Sequence, residues 1–70
     1  MNSLFGTHKL NKLGIGLVAA IRNEFEDLLS MLEAALPTGR ELSIVKTNLE
    51  TACMYAVKAV SLDPRYQDND

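Results

Sequence analysis

The sequence contains no tryptophan, a single cysteine (Cys53), a single histidine (His8), two prolines and only two phenylalanines and two tyrosines in 70 residues. Each scarcity excludes something. One cysteine forbids an intrachain disulfide. One cysteine with one histidine cannot supply a Cys/His zinc set. Chains this short need some such support, and what remains is close helix packing or oligomerisation. No apolar run approaches the roughly 20 residues that cross a bilayer. The opening residues 1–6 lack the charged start and long apolar stretch of a signal peptide. Seven Lys and Arg against nine Asp and Glu give a net charge of −2. That balance lacks the basic surplus of a DNA- or RNA-binding protein. A lone cysteine fits a reducing compartment. The expectation is a cytoplasmic chain with no membrane and no nucleic-acid polymer as partner.

What is present is helical patterning. The hydrophobic share of 47% is that of a globular protein. Over residues 11–36, Leu17, Ile21, Leu28, Leu32 and Ala35 fall on one stripe at spacings of three, four and seven. Leu13, Val18, Phe25, Leu29, Met31 and Leu36 widen that stripe beyond the reach of one partner helix. Asn11 suits the N-cap, where its side chain accepts from an orphaned backbone N–H. Pro37 disfavours helical geometry at Leu36 and stops the first helix.

Thr38-Gly39-Arg40-Glu41 follows at once and has the form of a capping box. A second helix is expected from there to about residue 61. Its stripe is Leu42, Val45, Leu49, Ala52, Ala56 and Ala59, with Cys53 and Val60 alongside. Asp63-Pro64 ends it, and the polar remainder is expected to fray. The predicted fold is therefore all-α: a two-helix antiparallel hairpin with a short N-terminal segment. Its parts are residues 1–10, the hairpin at 11–62 and a polar tail at 63–70. Two rods of roughly 25 and 22 residues, about 35 Å long, cover only part of each other. Val18, Phe25, Leu29, Ile44, Met54, Tyr55 and Leu62 form a second stripe that lacks a partner, which predicts a compact homo-oligomer.

Catalytic groupings are weak. His8 has Thr7 and Ser3 nearby in sequence but no carboxylate placed to orient it, and reads as a solvated residue before the first helix. Cys53 on the small-residue stripe reads as a buried, inert thiol. Glu24, Glu26 and Asp27 point in different directions on a helix and read as a solvated face. Gly14-Ile15-Gly16 lacks the third glycine and preceding strand of a phosphate loop. Loose geometry or the close approach of another backbone explains it better. No enzyme and no cofactor are expected.

The basic residues admit two readings. Arg40 lies in the first turn of the second helix, where free N–H groups, an arginine and a threonine make a ready anion site. Lys46 and Thr47 follow within two turns, Arg22 sits mid-helix, and His8, Lys9 and Lys12 gather at the start. These residues either converge between subunits into basic pockets or form an ordinary solvated face, with Lys46 and Glu50 as a weak i,i+4 pair.

The run Pro37-Thr38-Gly39-Arg40-Glu41, followed by Lys46-Thr47-Asn48-Leu49-Glu50-Thr51-Ala52, resembles the helical-hairpin family of phage cyclic-nucleotide sponges. That family includes an anti-CBASS sponge and shares its hairpin with an anti-Thoeris sponge. Phe5-Gly6-Thr7-His8-Lys9-Leu10 and Ala20-Ile21-Arg22-Asn23 extend the resemblance, which covers residues 5–61. It implies a homohexamer in the cytoplasm of the infected bacterial host. The hexamer would bind cyclic dinucleotides, and in some members cyclic trinucleotides, without cleaving them. It also implies that Arg22 and Arg40 hold phosphate. The family's stacking aromatic falls on Thr7, so stacking passes to His8 or Phe5. The expected ligand-binding residues are thus Thr7, His8, Lys9, Arg22, Arg40, Lys46 and Thr47. The alternative is a small helical interaction module, an anti-repressor or assembly adaptor, acting through its apolar face.

Overall fold

The computed structural model describes residues 9–68. Helix α1 spans Lys12–Ala35 and helix α2 spans Arg40–Leu62; a single 3₁₀ turn, Pro64–Tyr66, follows. The two helices pack antiparallel as the sequence predicts. The body measures 48 × 22 × 12 Å. Its thinnest dimension is about one helix diameter, so the described chain is a single layer.

Both prolines act as read. Leu36 and Asp63, the residues before them, are extended, with ψ of 148° and 120°. The α1 cap is also as expected, since the Asn11 side chain accepts from the Gly14 N–H at 2.8 Å. The α2 cap is not. Gly39, not Thr38, is the N-cap, and no side chain caps this end. The helix starts one residue later than a capping box requires. Gly39 makes the reversal at φ 158°, ψ −166°, a region open essentially to glycine. Its carbonyl accepts from both the N–H (3.1 Å) and the hydroxyl (3.2 Å) of Ser43.

The seam between the helices is rotated from the predicted one. On α1 it runs through Gly14, Val18, Ile21, Phe25, Leu29 and Leu32, with Leu17 at its edge, while Leu28 and Ala35 are exposed. On α2 it runs through Leu42, Val45, Leu49, Cys53, Ala56, Val57 and Val60; Ala52 and Ala59 face away. Val18, Phe25 and Leu29 therefore belong to the seam and not to the free stripe. The reason is that α1 is apolar on more than one face. Periodicity alone then fits several rotations, and a contact outside the pattern selects one. That contact is Gly14 against Tyr66, where a Cβ on Gly14 would lie 2.7 Å from the Tyr66 carbonyl oxygen. The close approach of another backbone is thus the right explanation at Gly14. Gly16 has nothing within 4 Å of such a Cβ.

Among the described residues only Val18, Leu42 and Val60 are buried apolar side chains. Leu13, Met54, Tyr55 and Leu62 stand 72%, 61%, 60% and 56% exposed, and Ile15, Met31 and Ile44 are exposed with them. Two helices in one layer leave this surface uncovered.

Residues 63–68 pack back on the hairpin instead of fraying. The 3₁₀ turn folds back over the start of α1, and Leu10 and Gln67 form an antiparallel bridge. The Asp63 side chain caps the turn through the Arg65 N–H (3.0 Å) and pairs with the Arg65 guanidinium at 2.7 Å. The proline that ends the helix thus also begins the turn, and Asp63 serves as the hinge between them.

Candidate functional site

Two depressions hold the arginines singled out by sequence. The larger, about 410 Å³, lies in the groove between the helices. Its half-buried wall is apolar, with Phe25 and Leu29 from α1 and Leu49, Cys53 and Val57 from α2. Exposed Arg22, Glu26, Glu50 and Met54 complete the lining. Cys53 is accordingly half-buried and lines this groove, rather than lying sealed inside the protein. Electrostatically the groove is mixed. One guanidinium faces two carboxylates, so a single copy of this groove offers an anion no net positive charge.

The smaller depression, about 250 Å³, is formed by Arg40, Ser43, Ile44, Thr47 and Asn48 on the outer face of α2. It contains one positive charge and no carboxylate. Spacings of three and four place all five residues on one helical face. The first-turn N–H groups of α2 have no side-chain cap, so the positive end of the macrodipole adds to the field of Arg40, while Glu41 in the same turn offsets part of it. The hydroxyl protons here are already directed: Ser43 Oγ donates to the Gly39 carbonyl, and Thr47 Oγ1 to the Ser43 carbonyl at 3.1 Å. Their oxygens present lone pairs outward. A ligand at this face meets a guanidinium fork and an amide beside two acceptors. That set suits a phosphate carried next to groups that donate hydrogen bonds.

The arginines divide by commitment. Arg65 is bound to Asp63 and lies 5.2 Å from the centre of the Tyr66 ring. The pairing holds the Asp63 carboxyl below its ordinary pKa, chiefly through the Arg65 side-chain hydrogen bond and then through the Arg65 N–H. Arg22 and Arg40 make no ion pair among the described residues. Lys46 is engaged: its Nζ lies 3.1 Å from Glu33 on the neighbouring helix. The partner predicted from the i,i+4 rule was Glu50, but the antiparallel register puts Glu33 opposite instead. Lys9, with 84% of its side chain exposed, lies 3.8 Å from Asp68. Thr7 and His8 lie outside the described residues.

The predicted site residues that the structure describes are therefore dispersed within one chain. Arg40 and Thr47 share a depression, Lys46 faces the other way, and Arg22 is about 20 Å along the rod from Arg40. Lys9 lies at the open end. Ser43, Ile44 and Asn48 were missed by the sequence reading; a helical wheel drawn from Arg40 puts them beside it.

A family model for the Acb2/Tad1 hairpin domain matches residues 2–61. The chain belongs to the Acb2/Tad1 hairpin family. The match spans both helices, both depressions and Thr7, His8 and Lys9, and it ends before the 3₁₀ turn. Comparison with curated proteins and with solved structures gives no significant match. Acb2/Tad1 hairpins are sponge-type binding domains. An Acb2/Tad1 hairpin with a single-layer body carries its apolar surplus and its uncommitted arginines on the outside. None of the helices in the described chain is long and apolar enough to cross a membrane.

Proposed function

We propose that this Acb2/Tad1 hairpin sequesters cyclic oligonucleotide second messengers, cyclic di- or trinucleotides, without cleaving them. In the cytoplasm of an infected bacterium this withholds the activating ligand from CBASS-type immune effectors. Family membership supports the class of function. The observation that carries the ligand chemistry is the Arg40 depression: a cationic fork and a free helix N-terminus, with no carboxylate among the residues that line it.

Sequestration in this reading is a property of an assembly, which we take to be a homohexamer. The dispersed basic residues of one chain come together only if copies pack side by side, and the exposed apolar faces supply the means. Two copies of Arg40 related by a two-fold axis match the two phosphates of a cyclic dinucleotide, and arginine grips phosphate bidentately. Packing copies together also adds the positive charge that a lone Arg22 groove lacks.

Titration calorimetry of the intact chain against cyclic di- and trinucleotides tests this reading, with light scattering to count subunits. Binding lost on Arg40→Ala, in an oligomer of unchanged size, supports it. An oligomer that binds none of the panel overturns it. The exposed Met54, Tyr55 and Leu62 of α2 favour the second reading, an interaction module. A protein partner that dissociates the oligomer would support that alternative.

A further inference from the structure

From the Arg40 depression onward, α2 carries a ladder of hydroxyls on its outer face. Ser43 Oγ donates to the Gly39 carbonyl at 3.2 Å, and Thr47 Oγ1 to the Ser43 carbonyl at 3.1 Å. Thr51 Oγ1 continues the series, donating to the Thr47 carbonyl at 3.0 Å. Each rung reaches back four residues, so the rungs stand about 6 Å apart along the helix. All three side chains are exposed. A hydroxyl has one proton to donate and lone pairs that accept. Here every proton is committed to the backbone of the helix itself. What faces outward is acceptor only.

Such a surface selects what docks on it. A phosphodiester brings only acceptor oxygens, which the ladder repels and the Arg40 guanidinium attracts. A group that lies on the ladder must therefore donate a hydrogen bond. In a cyclic oligoribonucleotide one donor always accompanies the phosphate: the ribose hydroxyl on the carbon next to the esterified one. It follows the phosphate whatever the base. Base amines also donate, but their place relative to the phosphate changes with the base and with its rotation about the sugar. Ser43 stands about one turn from Arg40 and Thr47 about two, so a phosphate on the guanidinium brings that hydroxyl over the first rungs.

We propose that Ser43 and Thr47 are specificity-determining residues that accept ribose hydroxyls. The depression then takes cyclic oligoribonucleotides and discriminates against their 2′-deoxy counterparts. The 2′-hydroxyl is the group by which a protein tells ribose from deoxyribose at a given site. The inference rests on the sequestering function proposed above and deepens it at the same depression.

The test compares sugars, because a change in fold alone would not alter the ratio of two affinities. Cyclic di-AMP, cyclic di-GMP and cyclic tri-AMP, all 3′–5′-linked, are titrated beside their 2′-deoxy forms into the full-length chain. The unaltered chain is expected to prefer the ribose form of any ligand it binds by about tenfold, the effect of one or two net hydrogen bonds. Ser43→Ala combined with Thr47→Val removes both acceptors from an exposed face. That variant should lose the preference, binding the ribose form about tenfold more weakly and the deoxy form as before. Thr47→Ser keeps both acceptors and should keep the preference. Arg40→Ala should weaken both sugar forms alike. Equal affinity of the unaltered chain for the two sugars overturns the ribose reading while sequestration stands. A double variant that weakens both sugar forms equally also overturns it. If the unaltered chain binds none of these ligands, the sequestering function fails and the ribose reading fails with it.

Discussion

Gly14 and Tyr66 meet with no room for a side chain between them: a Cβ on Gly14 would stand 2.7 Å from the Tyr66 carbonyl oxygen and 2.9 Å from the Tyr66 Cβ. The two nearest atoms are the Tyr66 carbonyl oxygen and Cβ, which no side-chain rotation moves, so the turn itself must shift. Gly14→Ala is therefore expected to destabilise the chain by about 1–3 kcal/mol, the usual cost of overpacking. Gly16, two residues on, has open space around it. There alanine lowers the unfolded chain's entropy and should add about 0.5–1 kcal/mol. Thermal melts of the pair should move in opposite directions.

The interhelical turn gives a second contrast. Gly39→Ala forces an L side chain into φ 158°, ψ −166° and is expected to cost about 1–3 kcal/mol. Thr38→Ala should change stability by less than about 0.5 kcal/mol, because Thr38 caps nothing. A capping box would have given the reverse ranking. Denaturant unfolding of the two variants decides between the arrangements.

Lys46 and Glu33 pair across the seam with side chains 44% and 45% exposed. A double-mutant cycle should find a coupling of about 1 kcal/mol or less, falling with added salt. Coupling between Lys46 and Glu50 should be absent.

The Asp63–Arg65 pair gives the C-terminal 3₁₀ turn a pH dependence of known sign. The folded carboxyl is held below its ordinary value of 3.8 by the Arg65 hydrogen bonds. A depressed carboxylate pKa contributes stability that is fully present above the unfolded value. That contribution is lost as pH falls through the folded one. Protection factors of the Tyr66 and Gln67 amides, with the intrinsic pH dependence of exchange divided out, should fall below about pH 4, in the acid window of a carboxylate. Asp63→Asn should remove that fall, leaving similar protection factors above and below it.

Much of this architecture was legible in the sequence. The helix limits were set by Asn11, Pro37 and Pro64, whose effects are local and strong. Helix rotation was not legible, because α1 carries apolar residues on several faces and the selecting contact, Gly14 with Tyr66, joins positions far apart in the chain. The packing of residues 63–68 on the start of α1 was hidden for the same reason. Residues 63–68 are polar, and nothing local in Arg65 or Gln67 announces that their carbonyls meet Asn11. At the candidate site, the helix N-terminus points to Arg40, and Thr47 follows with Lys46 two turns on. Lys46 was assigned to the same face because its sequence neighbours were considered and its cross-helix neighbour Glu33 was not.

The central claim is sequestration without cleavage, centred on Arg40. One measurement addresses it most directly: calorimetric titration of the intact oligomer with cyclic oligonucleotides, followed by denaturation and chromatography of the released ligand. The expected result is saturable binding that Arg40→Ala weakens by about tenfold or more, as loss of a charged hydrogen bond does, with the cyclic nucleotide recovered unaltered. Recovery of a linearised nucleotide would contradict sequestration, and affinity untouched by Arg40→Ala would contradict the site.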